Sequence, residues 1–320
     1  MKLAFRLLPA FCAAMLLGLS VTSVSAAQYP ERALRLIVPF PPGGGASTMA
    51  RLLAQPLTDA LGQQIVIDNR GGGSTIIGAQ LAAAATPDGY TLFFSPNQLA
   101  INPIAFPDLP YDPVRDFDSV ARIGSSALIL VVNPKFEAQS VQQLIDIAKA
   151  KPGALSVASS GNFGPPHLAI ELFKHMTGVK MVHIPYRGSG LALPALVGNQ
   201  VQLMFGTMPS ALPQVHANRL RALAVTTAKR ADVTPYLPTV AETVPGFEVT
   251  VWYAMVAPAK TPPRIIKHLN TVINRILEST EFKQRMAASG AETTPATPEE
   301  MTRFLRTETQ KYKALLQNIK

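Results

Sequence analysis

The sequence predicts an α/β protein with two lobes that share a hinge and enclose a cleft. Strand segments alternate with helix segments along the chain, which is typical of a parallel sheet covered by helices on both faces. The length of 320 residues exceeds one ordinary core and suits two domains. Two apolar strands, at 123–132 and 248–258, lie where the chain would cross between the lobes. Two crossings form a hinge, and a hinged cleft can close on a ligand.

Residues 1–26 have the features of a secretory signal peptide. Lys2 and Arg6 give a basic start, and residues 7–19 form an apolar segment that is too short to span a membrane. Val24-Ser25-Ala26 supplies the small residues of a cleavage site, with cleavage one residue later as the alternative. The remaining chain of about 293 residues has no apolar run of membrane-spanning length. We therefore expect an exported protein that is soluble in the periplasm.

The only cysteine, Cys12, lies inside this segment. A lipid-anchored precursor would need a small residue before its cysteine, and here that residue is Phe11. We expect an unlipidated mature chain without disulfides. Loss of Lys2 and Arg6 lowers the formal charge from +9 to +7, and the basic residues are scattered. Export and the scattered positions of the basic residues argue against nucleic acid as a partner. The positive charge could serve solubility or could weakly attract small anions.

The first lobe is expected to comprise residues 27–125 and 250–320. Its elements are predicted to be strands at 36–40, 65–67 and 91–95, and helices at 47–61, 77–85, 263–278 and 298–318. Pro56 lies within the first of these helices and is expected to kink it. A connection rich in proline and aspartate, 102–117, leads to the long strand that leaves the lobe.

The second lobe is expected to comprise residues 126–249. Its elements are predicted to be helices at 140–151 and 166–177, and strands at 155–158, 182–186, 201–205 and 220–226. Trp252 and Tyr253, on the strand that returns to the first lobe, are interpreted as packing at the hinge. The C-terminal helices would then pack back on the first lobe.

Two glycine-rich turns, Pro41-Pro42-Gly43-Gly44-Gly45 and Gly71-Gly72-Gly73-Ser74-Thr75, each follow a strand and precede a helix. Glycine allows backbone N–H groups to approach a ligand closely because it has no Cβ. The start of a helix adds unsatisfied N–H donors and a partial positive charge. Two such turns from one parallel sheet predict a shared anion site, most simply for a carboxylate.

Ten short segments occur in a fixed order along nearly the whole mature chain. They are 39–44 (PFPPGG), 67–73 (IDNRGGG), 87–90 (PDGY), 102–103 (NP), 111–117 (YDPVRDF), 159–162 (SSGN), 182–188 (VHIPYRG), 209–213 (PSALP), 220–226 (LRALAVT) and 245–248 (PGFE). In this order the chain resembles the Bug/TctC family of extracytoplasmic solute receptors, the binding components of tripartite tricarboxylate transporters.

The resemblance implies a type II periplasmic-binding-protein fold that closes on a carboxylated metabolite and delivers it to membrane permease subunits. In the family, the loops after the first two strands hold a ligand carboxylate through backbone N–H groups and ordered water. Carried over to this chain, that role falls on Gly43, Gly44, Gly45, Gly72, Gly73 and Ser74.

Further candidates for ligand contact follow strands of the expected cleft. They are Ser95, Asn97, Ser160, Asn162 and Thr207, each of which could instead cap a turn. Arg187, next to Gly188, could supplement the backbone donors or pair with a surface carboxylate. Ser47 and Thr75, at the two glycine-rich turns, complete the candidate site.

The chain departs from the family's pattern at two acidic positions. Ser47 stands where members usually have aspartate, and Gly206-Thr207 stands where many have an Asp-Asn pair. Without these carboxylates, a ligand amine has less to pair with, so an amino acid is a less expected ligand. Phe163, Pro165 and Pro166 make the second-lobe loop apolar. We expect an apolar or aromatic carboxylate rather than citrate or aspartate, unless these substitutions only repack loops.

No enzyme motif emerges, and no cofactor or metal is expected. Ile76 replaces the last glycine of a GxGxxG pattern, GxSxG is absent, and the five histidines lack metal-ligand spacing. His183, on a strand, is interpreted as structural. The hypotheses are a solute receptor for a permease, a sensory receptor that signals to a membrane kinase, and an exported hydrolase, which the missing nucleophile–base pair disfavours. A monomer is expected.

Overall fold

The computed structural model of the protein describes residues 29–319. The predicted signal segment, 1–26 with Cys12, lies outside the described residues. Ten strands form one continuous sheet. Helices cover both faces of each half of this sheet.

The first half of the sheet is built from a parallel β-α-β-α-β unit. Its elements are β1 (Leu34–Val38), α1 (Gly45–Leu61), β2 (Ile65–Asn69), α2 (Ile76–Ala83), β3 (Thr91–Pro96) and α3 (Gln98–Ala105). Leu36 pairs with Ile67 on one side and with Leu92 on the other. The loops after β1, β2 and β3 therefore leave the sheet at the same edge.

Strand β4 (Phe117–Val132) connects the two halves of the sheet. Up to Ala127 it pairs with β9 (Thr250–Pro258), and from Leu128 it pairs with β7 (Leu203–Thr207). We propose to divide the lobes where this partner changes, near Ser126, and at the start of β9.

The second half repeats the alternation of strands and helices. Its elements are α4 (Val141–Ala150), β5 (Ser156–Ser159), α5 (Pro165–Thr177), β6 (Val182–Pro185), α6 (Ser189–Val197), β7, α7 (Met208–His216) and β8 (Arg221–Val225). Strands β5, β6 and β7 are parallel, and β5 lies between the other two.

The chain then returns to the first lobe through β9. The elements that follow are α8 (Pro263–Glu278), α9 (Thr280–Ala288), β10 (Ala291–Thr293) and α10 (Pro298–Ile319). The strands of the sheet lie in the order β2-β1-β3-β9-β4-β7-β5-β6, and β8 and β10 also pair with β4. Helix α8 packs on β4 and α1, and α10 packs on α3 and β4. Trp252 links β9 to α10, because its buried indole Nε1–H donates a hydrogen bond to Glu308 Oε2 at 2.8 Å.

The structure corrects two details of the predicted fold. The sheet is mixed, because the crossing strands β4 and β9 run antiparallel to their neighbours. Helix α1 includes Pro56 within one continuous span, and the kink expected there stays a prediction. Part of the predicted connection 102–117 is the end of α3, which the sequence analysis missed along with α6, α7 and α9. Helices α3 and α6 are short and largely apolar, so they show little of the amphipathic period that marks a surface helix.

Three clusters of buried apolar side chains form the core, and the largest extends through both lobes. No helix within residues 29–319 is long and apolar enough to cross a membrane.

Candidate ligand-binding site

A small cavity of about 30 Å³ lies between the lobes, at the edge of the sheet where the glycine-rich turns leave it. This is room for about two or three water molecules, so a larger ligand would have to enter while the lobes are apart. Its lining consists of Phe40, Gly44, Gly45, Ala46, Pro96, Gln98, Val251 and Tyr253 from the first lobe and Ser160, Pro165, Pro166, Ser189 and Thr207 from the second. Among the described residues, none that line the cavity carries a formal charge.

Five helices begin at this cavity. The N-caps of α1, α3, α5, α6 and α7 are Gly44, Asn97, Gly164, Gly188 and Thr207. Within residues 29–319, no side chain of these five N-caps accepts a hydrogen bond from a backbone N–H of its own helix. By contrast, Ser140 and Ser279 cap α4 and α9. The uncapped starts leave N–H donors and positive helix ends directed at one space.

The first glycine-rich turn supplies the clearest set of these donors. The bond from Thr48 N–H to the Gly44 carbonyl, at 2.9 Å, is the first of the helical series in α1. The N–H groups of Gly45, Ala46 and Ser47 precede it, and such groups have no acceptor within their own helix. Helix α5 differs because it begins with Pro165 and Pro166, which have no N–H and present apolar rings instead.

The lobes touch closely beside the cavity, and glycines make this contact possible. A methyl group on Gly45 would collide with Thr207 Oγ1 and would lie 2.9 Å from Thr207 Cβ. A methyl group on Gly190 would lie 2.5 Å from the Pro42 carbonyl oxygen. Both contacts join the first lobe to the second, so the structure shows the cleft closed.

Two buried polar atoms at the cavity have no hydrogen-bond partner among the described residues. They are the hydroxyl of Tyr253 and Oε1 of Gln98, whose residues are 1% and 4% exposed. Burial raises the pKa of Tyr253 above its usual value, and the neighbouring Ser126 hydroxyl offsets only part of that rise, so the phenol stays protonated and can donate. Neither residue was predicted as a site candidate, and Tyr253 was expected to pack at the hinge. The sequence signal that could have identified them was their position, for Gln98 just after β3 and for Tyr253 on β9, the strand that returns to the first lobe.

The second glycine-rich turn lies beside the first but outside the cavity lining. A methyl group on Gly71 would lie 3.0 Å from Pro41 Cδ, and Asn69 Nδ2 donates to the Phe40 carbonyl at 2.7 Å. The turn instead reaches the other lobe at the rim, where Ser74 Oγ donates to the Asn162 carbonyl at 3.0 Å.

Backbone strain marks this second turn. The φ angles of Gly72, Gly73, Ser74 and Thr75 are all positive, which is uncommon for residues with a side chain. Asn102 Nδ2 holds the turn by donating to the Ser74 carbonyl at 3.0 Å and to Thr75 Oγ1 at 3.3 Å. These residues thus form a rim contact between the lobes rather than a wall of the cavity.

The structure brings only some of the predicted site residues to the cavity. Gly44, Gly45, Ser160 and Thr207 line it, and Gly43 and Gly188 lie beside it at the contact between the lobes. Ser47 is buried behind the first turn, near Asn69. Arg187 is exposed outside the lining.

Ser95 and Asn97 also lie outside the lining, and their side chains are engaged elsewhere. Ser95 Oγ donates to the Pro96 carbonyl at 3.1 Å. The Asn97 amide donates to Tyr312 and to the Thr250 carbonyl, and its Oδ1 accepts from Trp252 N–H. Asn97 thus joins α3, β9 and α10 and is a scaffold residue in this conformation.

A serine–histidine pair lies behind the second-lobe loop. Ser159 Oγ and His183 Nε2 are 2.6 Å apart, and His183 stacks on His167 with ring centres 4.2 Å apart. Ser159 is fully buried and its hydroxyl also donates to the Gly161 carbonyl, so it is not presented to a substrate. His167 Nδ1 accepts from Phe163 N–H. The pair supports the loop, which agrees with the structural interpretation of His183.

Burial lowers the pKa of both histidines. Desolvation is the main cause, and it lowers the pKa of His183 to about 4, with His167 contributing. The pKa of His167 is also lowered by burial, although Glu171 opposes the shift. Both rings are neutral near pH 7. Within residues 29–319, no group of three or more His, Cys, Asp and Glu residues is arranged to hold a metal ion.

Comparison with known proteins gives a consistent result. The sequence profile described as "Tripartite tricarboxylate transporter family receptor" (TctC) matches residues 49–320. Protein BugT of Bordetella pertussis is 40% identical over 292 residues, which cover 90% of each chain. A solved structure of Rpa4515 from R. palustris with adipate is 35% identical, with a TM-score of 0.89 over 91% of this chain and 98% of that one.

A third match is MatC (Rpa3494) from Rhodopseudomonas palustris with bound malate. It is 28% identical, with a TM-score of 0.82 over 90% of this chain and 99% of that one. These structures confirm the predicted two-lobed periplasmic-binding-protein fold, and the profile match confirms the resemblance inferred from the sequence segments.

Proposed function

This chain belongs to the tripartite tricarboxylate transporter receptor family, and from that membership we propose that it captures a small carboxylate between its lobes and delivers it to the membrane subunits of such a transporter. The observation that carries the proposal is the convergence of uncapped helix starts from both lobes on one cavity. An anion there would meet N–H donors and positive helix ends on two sides.

Backbone capture can supply the required affinity without an arginine. A micromolar dissociation constant corresponds to about 8 kcal/mol. A hydrogen bond to a charged group contributes about 1.5–3 kcal/mol, and each helix end adds about 0.3–1 kcal/mol. Four or five donors from α1, α6 and α7, with burial of apolar ligand surface, can reach that value after the cost of association.

The lining supports a carboxylate with an apolar or aromatic body. Phe40, Pro96, Val251 and the two prolines of α5 form apolar walls. Among the residues described, the lining offers no carboxylate for a ligand amine. The relatives with adipate and malate show that related sites take dicarboxylates, and the ligand of this chain is proposed to be a monocarboxylate or dicarboxylate of this kind.

The proposed ligand contacts follow from the lining and its rim. Gly44, Gly45, Ser160 and Thr207 would contact the ligand, and Gly43, Gly188 and Ser189 would shape the closing edge. Ser74, Thr75 and Asn162, with Gly72 and Gly73, would latch the rim when the lobes close. Arg187 would act from outside, through its charge.

Family members are periplasmic binding proteins, and we propose that residues 1–26 direct this chain to the same compartment and are removed there. We further propose that the mature protein is a monomer that acts without a cofactor and without enzymatic activity. Its membrane partner is proposed to be a permease of the tripartite tricarboxylate type.

A thermal-shift screen of aliphatic and aromatic mono- and dicarboxylic acids tests the proposal. Binding at one hundred times the dissociation constant should stabilise the mature protein by about 2.7 kcal/mol. Matched amides of the same acids serve as controls, because they lack the charge that the helix ends would hold. A flat response to every acid, or equal responses to acids and amides, would contradict carboxylate capture.

A further inference from the structure

We propose that Tyr253 and Gln98 recognise two different parts of the ligand, Tyr253 its carboxylate and Gln98 an oxygen group at the other end of the molecule. The inference rests on the proposed function and makes it more specific. It predicts that this protein prefers straight-chain acids with a hydroxyl, carbonyl or second carboxylate at the far end over acids that end in a methyl group.

The first step is that both side chains are buried at the cavity with an unused hydrogen-bonding atom. The Tyr253 hydroxyl and Gln98 Oε1 make no hydrogen bond of good geometry among residues 29–319, although burying such an atom is costly. The Ser126 hydroxyl lies near that of Tyr253 and is itself left unpaired. Neighbouring polar side chains at the same strand ends, such as Asn97, are fully bonded. Atoms left unpaired beside a ligand cavity are those that a ligand would satisfy.

The second step is that the two side chains lie at different helix starts. The Tyr253 hydroxyl lies 3.2 Å from where a Gly45 methyl would be, next to Thr207, and so faces the starts of α1 and α7. Gln98 Nε2 lies 2.7 Å from where a Gly164 methyl would be, at the start of α5. The cavity therefore has two polar spots set in a largely apolar lining.

The third step is that the chemistry of the two spots differs. At the Tyr253 spot, a protonated phenol joins N–H groups of α1, so every group there can donate to a carboxylate. At the Gln98 spot, the prolines of α5 remove N–H donors, and an amide can both donate and accept. This second spot suits a hydroxyl or carbonyl as well as a carboxylate.

The test uses three six-carbon acids that differ only at the far end: hexanoate, 6-hydroxyhexanoate and adipate. Shorter and longer homologues of each acid are also measured, in case six carbons do not match the distance between Tyr253 and Gln98. Dissociation constants are measured by calorimetry for the mature wild-type protein and for Tyr253→Phe, Gln98→Met and Tyr312→Phe. Tyr312→Phe is the matched control, since it removes a buried tyrosine hydroxyl that is bonded to Asn97 away from the cavity.

Wild type should bind adipate and 6-hydroxyhexanoate, or their best homologues, at least about tenfold more tightly than the methyl-ended acid. Tyr253→Phe should raise the dissociation constants of all three acids by a similar factor, about tenfold to a hundredfold. Gln98→Met should weaken only the two acids with an oxygen at the far end, which would abolish the discrimination. Tyr312→Phe should leave all constants within about twofold.

Melting of the unliganded variants separates binding from folding. Tyr253→Phe and Gln98→Met remove unpaired buried atoms, so both should melt at or above the wild-type temperature. Equal binding of methyl-ended and oxygen-ended acids by wild type would overturn the inference even if a variant failed to fold. If wild type binds the acids and neither variant changes the dissociation constants, the inference is overturned and the proposed function stands. If wild type binds none of the acids, both are overturned.

Discussion

At the scale of single residues, the roles of polar side chains near the cleft are decided by whether their hydrogen bonds are already made. Asn97 and Gln98 are adjacent, and both are almost fully buried. Every polar atom of the Asn97 amide is engaged with β9 or α10, whereas Gln98 Oε1 has no partner among the described residues. A bonded amide stabilises the scaffold, and an unbonded one can meet a ligand.

Replacement of Asn97 by alanine tests the first of these roles. Asn97→Ala would leave the buried Trp252 N–H without its acceptor and would remove a bond from Tyr312, at a cost of about 2–4 kcal/mol in the free energy of unfolding. Affinity of the folded protein should stay within about twofold of wild type. Urea unfolding and calorimetry measure the two quantities. Weakened binding with unchanged stability would instead place Asn97 in the binding site.

The histidine pair makes stability depend on pH. The pKa of His183 is about 4 in the folded protein and near 6.5 when the ring is solvated, so between these values the unfolded chain binds a proton that the folded chain refuses. Stability should fall as pH drops from about 6.5 to about 4, by less than 1.4 kcal/mol per pH unit because the ring is only half-buried.

The variant His183→Gln isolates this effect, because glutamine keeps a hydrogen-bonding end near Ser159 but does not titrate. In urea unfolding, the stability of wild type relative to the variant should fall as pH drops through this window and should level off below pH 4. His167, Glu171 and Lys174, which face His183, remain in both proteins. Parallel pH curves for the two proteins would show that His183 titrates normally.

At the scale of elements, the sequence was informative where a pattern depends on local chemistry. Strand β3 and helix α5 were predicted to within about one residue, because an apolar run and an amphipathic period with proline at the start are local signals. Helix α6, with Gly190 and Pro194 inside and apolar residues on most sides, carries no such signal. Its existence depends on packing against β5, β7 and α7 of the second lobe.

The candidate site was predictable to a similar extent. The turn at Gly43–Gly45 was predicted to hold an anion, because glycines between a strand and a helix are typical of loops whose backbone N–H groups do so. The structure places Gly44 and Gly45 on the cavity lining. The place of Tyr253 at the cavity could not be predicted, because the cavity is assembled from residues far apart in the chain. The placement of Ser74 at the rim likewise depends on its contact with Asn162, 88 positions away.

The first glycine-rich turn should control closure of the lobes. Gly45→Ala would place a methyl group against Thr207 of the other lobe, with 2.9 Å to its Cβ, so the lobes should stay partly open. The matched control is Gly44→Ala, whose methyl would meet nothing nearer than 3.8 Å. Both glycines have negative φ, so neither substitution strains the backbone.

Small-angle X-ray scattering with a saturating acid measures this closure. Wild type and Gly44→Ala should reach the same compact radius of gyration, and Gly45→Ala should remain larger and bind at least about tenfold more weakly. Full compaction of Gly45→Ala would show that the contact between Gly45 and Thr207 does not limit closure.

At the scale of the whole molecule, the proposed binding mode separates the charge that would attract a ligand from the groups that would hold it. The mature chain is expected to carry a net charge of +7, with its basic residues spread over the surface. In the part of the chain that the structure describes, the cavity lining has no charged side chain. Surface charge is screened by salt, whereas buried backbone donors are screened much less. Attraction and retention of an anion should therefore respond differently to ionic strength.

Stopped-flow binding of the best acid from the screen, at about 20 mM and about 500 mM NaCl, tests this separation. The association rate constant should fall about two- to tenfold at high salt, because long-range attraction is screened, while the dissociation rate constant should change by less than about twofold. Arg187→Gln, an exposed charge outside the lining, should lower only the association rate. A dissociation rate that rises with salt, or that rises strongly in Arg187→Gln, would mean that an exposed ion pair holds the ligand and that the helix starts do not.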